Sequence, residues 1–240
     1  MDSKLSREFK FSIFYFGFLT LLAGAAISCS IISTPAPPAS PSFSDAMPLV
    51  LGNTWMYQVT RYEGVPITEI ITATHLITDT IVERKNTPPY FIAQMHREES
   101  AETSVGFVPP SQKAEPLRPA TSSEYWWVLN ENRLYRQERK LDLSKFDESK
   151  LEFVFPLEIG KKWNLFNDGL ARITLRVGQV TVPAGRFDNC FLFDDAWASD
   201  TAQTWFCPRI GIVEEIDDHH GTPMGWHTVL IRYNLAPSPK

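Results

Sequence analysis

The stretch that decides the fold is Ile173–Asp194, which reads ITLRVGQVTVPAGRFDNCFLFD. Ile173, Leu175 and Val177 alternate with polar residues, the pattern of a strand with one buried face. Pro183-Ala184-Gly185 then combines a fixed backbone angle with a permissive one, as a tight turn requires. A second run, rich in aromatic and apolar residues, follows the turn. The stretch therefore predicts two neighbouring antiparallel strands.

Similar runs recur along the chain, and no long segment shows a helical period. A run dense in Ile, Thr and Val spans Ile67–Arg84, with an expected break near Thr74-His75, and Asn130-Glu131-Asn132 reads as the turn of a hairpin. Further predicted strands lie at 55–60, 90–95, 124–129, 133–137, 204–207, 211–216 and 226–233. We expect an all-β, mainly antiparallel domain, built as a curved sheet, an open half-barrel or a sandwich, with little helix beyond the signal segment.

Two segments interrupt this pattern. Glu98–Ser122 is polar, rich in proline and too long for a simple turn, so it is either a flexible excursion or a functional lid. Leu141–Lys150 could form one helical turn, or two at most.

One nine-residue pattern occurs twice. Met47–Trp55 and Phe155–Trp163 both read apolar-Pro-Leu-x-apolar-Gly-x-x-Trp, a turn that feeds a strand beginning with Trp. The repeat predicts two similarly built β halves, about 46–150 and 151–240. Chance similarity between two turns is the alternative.

The N-terminus has the composition of an export signal. Residues 1–10 are basic-leaning, residues 11–27 carry no charge, and small residues precede Cys29. The apolar run of 17 residues is at the lower limit for crossing a bilayer, which favours a cleaved signal over a permanent helix. An uncleaved anchor is one alternative.

Cys29 makes the signal more specific. Ala26-Ile27-Ser28-Cys29 resembles the lipobox of bacterial lipoproteins, in which the cysteine is acylated with chains such as palmitate and becomes the first residue. We expect a signal peptide at 1–28, lipidation at Cys29 and a Pro/Ser-rich tether at 29–45, with the globular domain at 46–240 outside the cytoplasm. An ordinary signal peptide with an incidental cysteine is the other alternative.

Composition limits the partners. The net charge is −5, without a basic stripe, which argues against binding nucleic acid. The residues that follow the tether are enough for one domain with a sizeable core. The expected partners are the membrane, through the lipid, and a protein or an apolar ligand.

Two cysteines remain in the exported part of the chain. Cys190 and Cys207 lie in predicted neighbouring strands, and a turn near Ala198-Ser199 would place them opposite each other. An even pair in a compartment that permits disulfides predicts a disulfide. Two free buried thiols are the alternative.

Several motifs resemble those of a family. Val182–Cys190, VPAGRFDNC, resembles the VPAGTFDN-C segment of uncharacterised bacterial envelope lipoproteins, and Trp205–Val213 resembles the W-Y-A-P-G-V-G-L-V segment that follows it there. Cys207 and Arg209 replace the usual Ala and Gly. The Pro-Leu-x-x-Gly-x-x-Trp segments also belong to this pattern. The resemblance implies a curved antiparallel sheet, distantly similar to the lipoprotein carriers LolA and LolB, which bind acyl chains in an open half-barrel.

No catalytic motif, metal-ligand spacing or cofactor fingerprint is found, so we expect no catalytic residue, metal or cofactor. Asp217-Asp218-His219-His220 reads as a polar turn before Gly221 rather than a metal site. The candidate ligand-binding residues are Tyr125, Trp126 and Trp127, with Trp126 on one strand face and its neighbours on the other. Packing of these rings in a core is the alternative.

These observations predict a membrane-anchored envelope lipoprotein whose β domain has a non-enzymatic, structural or protein-interaction role. A carrier of the LolA/LolB type is the first alternative, and it predicts a deep apolar cavity under residues 98–122. An envelope hydrolase with an unrecognised site is the second, and it predicts polar groups that converge in a cleft.

Overall fold

A computed structural model describes residues 46–63, 71–104, 116–138, 141–143, 146–165, 170–196, 200–219 and 224–236. All of them belong to one unit, Ala39–Lys240. The predicted signal peptide, the tether up to residue 45 and Cys29 lie outside the described residues. Within these ranges the structure contains no helix with the length and apolar character needed to cross a bilayer.

The all-β, antiparallel prediction is confirmed. The strands are β1 (Thr54–Glu63), β2 (Ile71–Thr87), β3 (Tyr90–Glu99), β4 (Thr103–Ser104), β5 (Thr121–Asn130), β6 (Arg133–Gln137), β7 (Leu151–Val154), β8 (Lys162–Leu165), β9 (Leu170–Val182), β10 (Gly185–Ala196), β11 (Asp200–Cys207), β12 (Gly211–His219) and β13 (Met224–Asn234). A three-residue 3-10 helix at Glu148–Lys150 precedes β7. It is about one turn long, the lower end of the one or two turns expected there.

All the strands belong to one sheet, in the order β7-β6-β5-β3-β2-β1-β13-β12-β11-β10-β9-β8, with β4 added to β2. Register shifts occur in several pairs, for example at Met56/Tyr57 and Ile81/Glu83, and such bulges bend a sheet. The end strands β7 and β8 are joined by a short turn. Trp163 Nε1 on β8 donates to the Glu152 carbonyl on β7 at 3.2 Å. The sheet is therefore nearly closed and barrel-shaped.

The two copies of the nine-residue pattern form the same turn. Gly52 and Gly160 adopt φ angles of 82° and 80°, in the left-handed region that favours glycine. The amide of each glycine donates to a carbonyl of the second strand after it, Gly52 to Ile81 of β2 at 2.9 Å and Gly160 to Thr174 of β9 at 2.8 Å. This local equivalence explains why the pattern repeats, whereas the division of the whole domain into two halves stays a prediction.

One strand differs from its prediction. β2 continues without interruption through Thr74 and His75, where the sequence suggested a break. The break was wrong because the inward alternation continues: Ala73 and Ile77 are buried, and His75 pairs with Val59 of β1. The hairpin around Asn130-Glu131-Asn132 is confirmed.

The interior of the curved sheet holds most of the core. Its centre is aromatic, with Phe153 of β7 contacting Phe193 and Phe206 at ring-centroid distances of 5.5 and 5.0 Å. Cys190 and Cys207, both buried, form the expected disulfide between β10 and β11. A smaller cluster on the outer face of β3, β5 and β6 is covered by Leu141, Leu143, Phe146 and Leu151.

Candidate functional site

A cavity of about 460 Å³ remains inside the sheet, between β1, β2, β3, β5 and β6 on one side and β12 and β13 on the other. Small-molecule sites in proteins commonly measure about 300–1,000 Å³. Trp226 and Arg118, whose side chains are substantially exposed, line the cavity together with buried residues. These two residues therefore mark its opening.

Aromatic rings form the deep wall of the cavity. Trp55 donates its indole N–H to the Ile210 carbonyl at 2.7 Å, and the Tyr57 hydroxyl donates to the Ile212 carbonyl at 3.1 Å. Tyr125 and Trp127 pack edge to face, with ring centroids 6.1 Å apart. Because the polar atoms of Trp55 and Tyr57 already have partners, these two side chains offer the cavity mainly ring surface.

One ion pair is built into the cavity wall. Arg97 Nε and Nη2 donate to Asp79 Oδ1 and Oδ2 at 2.8 and 2.7 Å, since the two residues lie directly opposite each other on β3 and β2. Burial, and next the charge of Asp79, raise the pKa values of Tyr57 and Tyr125. Both phenols therefore remain protonated at physiological pH.

A second charged cluster lies near the opening and is centred on Glu102, which belongs to the segment 98–122. The Glu102 carboxylate accepts from Arg61 Nη2 at 3.1 Å and from the Arg118 backbone N–H at 3.0 Å. His75 Nδ1 lies 3.9 Å away. Burial raises the pKa of Glu102, but the hydrogen bond from Arg118 and the charge of Arg61 outweigh it and lower the pKa. Burial lowers the pKa of His75.

Two further charges that line the cavity have no such close partners. The Arg136 guanidinium stacks over the Tyr125 ring at 4.6 Å, and its buried Nε has no hydrogen-bond partner. Arg136 Nη2 lies 3.7 Å from Glu138, whose side chain is exposed. Among the residues that the structure describes, no hydrogen bond or ion pair reaches the Glu215 carboxylate. Burial raises the pKa of Glu215, and the charge of Arg136 only partly opposes this.

A second bidentate pair lies outside the cavity lining. Arg172 Nε and Nη2 donate to Asp195 Oδ1 and Oδ2 at 2.7 and 2.8 Å, and Arg172 Nη1 also approaches Glu152 Oε2 at 3.3 Å. Its guanidinium lies 5.4 Å from the Phe153 ring centroid. Arg172 therefore has a complete set of partners, in contrast to Arg136.

The candidate ligand-binding residues are divided between the two faces of β5. Tyr125 and Trp127 line the cavity, whereas Trp126 is half-buried on the outer face, beside Leu141 and Leu143. The three rings therefore do not form one surface. Asp217, Asp218 and His219 lie at the end of β12, and His220 is outside the described residues. No group of three potential metal ligands occurs in the described part of the chain.

Sequence reasoning missed the charged lining. Asp79, Arg136 and Glu215 each lie two residues from a buried apolar residue on the same strand, that is, on the inward face. This spacing was a readable signal, because a charged residue in phase with core residues points inward. The described lining therefore combines aromatic rings with charged side chains of both signs.

No protein-family model matches the sequence, and no curated protein matches it. Two solved structures are similar. One is a protein from Bacteroides fragilis NCTC 9343 that is described as exported and as having a YmcC-like fold. It is 13% identical in sequence, its TM-score is 0.47, and the match covers 79% of this chain and 98% of that chain. The other is a protein from Parabacteroides distasonis ATCC 8503 assigned as a lipoprotein: it is 11% identical, with a TM-score of 0.44 over 78% of this chain and 97% of that chain. At these values, no property of either protein is transferred to this chain.

Proposed function

We propose that this chain is a bacterial envelope lipoprotein, anchored through acylated Cys29, whose β domain binds a small molecule in its interior cavity. The observation that carries the proposal is the cavity of about 460 Å³, in which aromatic rings lie beside partly buried charges, among them Arg136, whose buried Nε has no hydrogen-bond partner. The role is binding rather than catalysis.

The energetics of the lining support a functional site. A buried charge without a partner destabilises a fold, and apolar side chains of similar volume would fill the same space at lower free energy. Arg136 and Glu215 approach this case, because both are partly buried and the one ion-pair contact between them and the rest of the described chain is the 3.7 Å contact of Arg136 with Glu138, whereas Arg172 in the same interior has a full set of partners. Perturbed ionisable groups that cluster in a cavity are typical of binding and active sites.

The lining also distinguishes between ligand classes. A carrier of acyl chains, the LolA/LolB-type alternative, needs apolar walls because a charge facing an alkyl chain loses its hydration without compensation. Here Arg97, Asp79, Arg136 and Glu215 all face the cavity. The walls therefore favour a ligand that has both ring or apolar surface and polar groups.

A protein-interaction role is the second candidate. Met224 and Trp226 are about half exposed and lie two residues apart on the same face of β13, at the cavity opening. Exposed Trp and Met side chains are enriched at protein interfaces. Crosslinking in cells tests this role: a crosslinked partner should be lost in the M224A/W226A variant and retained in the L175A variant, which truncates an exposed side chain elsewhere.

The binding proposal is tested by filling the cavity. Ile77 lines the cavity on β2, whereas Val82 on the same strand is exposed, so Ile77→Trp and Val82→Trp are matched variants. The fluorescence of 8-anilinonaphthalene-1-sulfonate should rise with wild type and V82W but not with I77W. Near-UV circular dichroism must show native packing, because molten states also bind this dye. Equal binding by all three proteins, or binding by none, would contradict the proposal.

The anchor is tested by mass spectrometry of the protein extracted in detergent from its native host. We expect an acylated N-terminal peptide that begins at Cys29, and loss of membrane association in the C29S variant. A soluble chain that begins elsewhere, or an intact Met1, would contradict lipidation. This result is independent of the cavity.

A further inference from the structure

The charges that line the cavity fall into two groups. Asp79, Arg97, Arg61 and Glu102 are held in direct ion pairs at 2.7–3.1 Å. The same chain thus satisfies most of the charges that it buries. Four lining charges are not held in this way: Arg118, whose Nε lies 3.8 Å from Glu102, Glu99, which accepts from the Thr121 hydroxyl at 3.5 Å, and Arg136 and Glu215, whose signs are opposite.

Arg136 is held in a fixed position. Tyr125 lies under its guanidinium at 4.6 Å, a cation–π contact that helps to hold the group in place, and its buried Nε carries an N–H without an acceptor. A guanidinium has five N–H donors in a rigid fork that matches a carboxylate or phosphate. The missing partner of Arg136 is therefore an anionic oxygen.

Glu215 supplies the opposite requirement. It lies on β12, across the cavity wall from the strands that carry Arg136 and Arg97, and both arginines attract it without reaching ion-pair distance. An enclosed carboxylate without a donor needs an N–H or O–H group to replace its lost hydration. The missing partner of Glu215 is therefore a donor, ideally a cationic one.

The charges of Arg136 and Glu215 can be compared with each charge class of ligand in turn. A monoanion at Arg136 would meet the negative charge of Glu215, and a monocation at Glu215 would meet Arg136. A neutral ligand would leave both charges without partners. A ligand with both an anionic and a cationic group satisfies both residues, because complementary charges give specificity through attraction and repulsion together.

We infer that the cavity binds a zwitterion of the amino-acid kind with an aromatic or apolar body, its anionic group on Arg136 and its cationic group on Glu215. The inference rests on the proposed function and specifies its ligand class. Tyr125 and Trp127 provide ring surface beside the charged head, and Met95 provides apolar surface. The volume of about 460 Å³ accommodates an aromatic amino acid with space for a larger substituent.

Three compounds that share one indole ring test the inference: tryptophan is a zwitterion, indole-3-propionate an anion and tryptamine a cation. Isothermal titration calorimetry on the wild-type domain should give the tightest binding for tryptophan. Arg136→Gln should lower the affinity for tryptophan and for indole-3-propionate at least tenfold, because it removes a charge-assisted bond, and it should not lower the affinity for tryptamine. Glu215→Gln should lower the affinity for tryptophan and tryptamine by a similar factor and should not lower the affinity for indole-3-propionate.

Matched controls keep the test specific. Glu214, the next residue on β12, points away from the cavity and contacts His227 at 2.7 Å, so E214Q should not change any affinity. Arg133 on β6 is exposed and is the control for Arg136. Arg136→Lys retains the positive charge and should bind tryptophan more tightly than R136Q. Circular dichroism establishes that each variant is folded.

The outcomes separate this inference from the proposed function. Equal affinities for the three indoles, or tightest binding of indole-3-propionate with further strengthening in E215Q, would overturn the zwitterion. Absence of indole binding while 8-anilinonaphthalene-1-sulfonate still enters the cavity would overturn the inference alone. Absence of binding by every compound would overturn both.

Discussion

The ion pair between Asp79 and Arg97 should be strongly coupled, because it forms part of the cavity wall. Both bonds are short, at 2.7 and 2.8 Å, and the side chains are 5% and 19% exposed. Removal of one partner from a buried pair costs about 3–5 kcal/mol, because it leaves an uncompensated charge. Replacement of both partners by apolar residues is often neutral.

These figures give a magnitude for each variant. D79A should cost about 3 kcal/mol, the low end, because Arg97 retains some access to water in the cavity. R97M should cost about 4–5 kcal/mol, because the more buried Asp79 loses its partner. The double variant D79A/R97M should lose only about 1–2 kcal/mol, mostly because the Tyr125 hydroxyl loses its bond to Asp79.

Urea unfolding with linear extrapolation measures these free energies, and the m-value should stay constant. The coupling energy of the cycle, the sum of the two single costs minus the cost of the double variant, should be about 5 kcal/mol or more. The exposed pair Glu83–Lys85 is the control, and K85A should cost less than about 1 kcal/mol. Two results would refute the conclusion that a buried ion pair forms part of the cavity wall. One is a double variant whose cost equals the sum of the two single costs, and the other is a D79A variant that costs as little free energy of unfolding as K85A.

Three other predictions concern the same domain. The C190A/C207A variant should lose about 3 kcal/mol, because the disulfide closes a loop across a sequence separation of 17, and unchanged guanidinium unfolding would contradict this. Folding raises the pKa of Glu215, so the wild type loses free energy of unfolding as pH rises above about 4.5, whereas E215Q has no such group to titrate. E215Q should therefore become more stable relative to wild type as pH rises. Parallel pH profiles of the two proteins would contradict this. The charged groups that face Glu215 are Arg136, Arg172, Arg97 and Glu152. G225A should lose at least about 2 kcal/mol in thermal unfolding, more than G178A, because its Cβ would overlap the Asp217 carbonyl and the Tyr62 hydroxyl, whereas the Cβ at Gly178 would reach a Trp205 ring at 3.4 Å.

The sequence predicted the fold well where local chemistry decides the structure. Alternation of apolar residues located the strands, although in β9 the buried face proved to be that of Arg172 and Thr174 and Leu175 is exposed. The turns at Pro183-Ala184-Gly185 and Asn130-Glu131-Asn132 follow from the backbone preferences of their residues. The disulfide also followed, because its register depends on one hairpin: Phe191 pairs with Phe206, which places Cys190 opposite Cys207. These features depend on neighbours in sequence.

The cavity could not be predicted in the same way, because it is made by strands distant in sequence. Arg136 on β6 and Glu215 on β12 face one space only because the sheet curls until it nearly closes. Polar residues at inward positions also misled the reasoning at Thr74-His75, where His75 suggested a break but lines the cavity. Tyr125 and Trp127 were identified as candidates from their composition alone, and the structure places both in the wall.

Ligand binding inside the sheet can be tested by native mass spectrometry of the domain purified from its host. We expect a discrete small-molecule adduct on wild type and V82W that is absent from I77W, because the introduced indole occupies the cavity. No adduct on any of the three proteins, or the same adduct on I77W as on wild type, would contradict it.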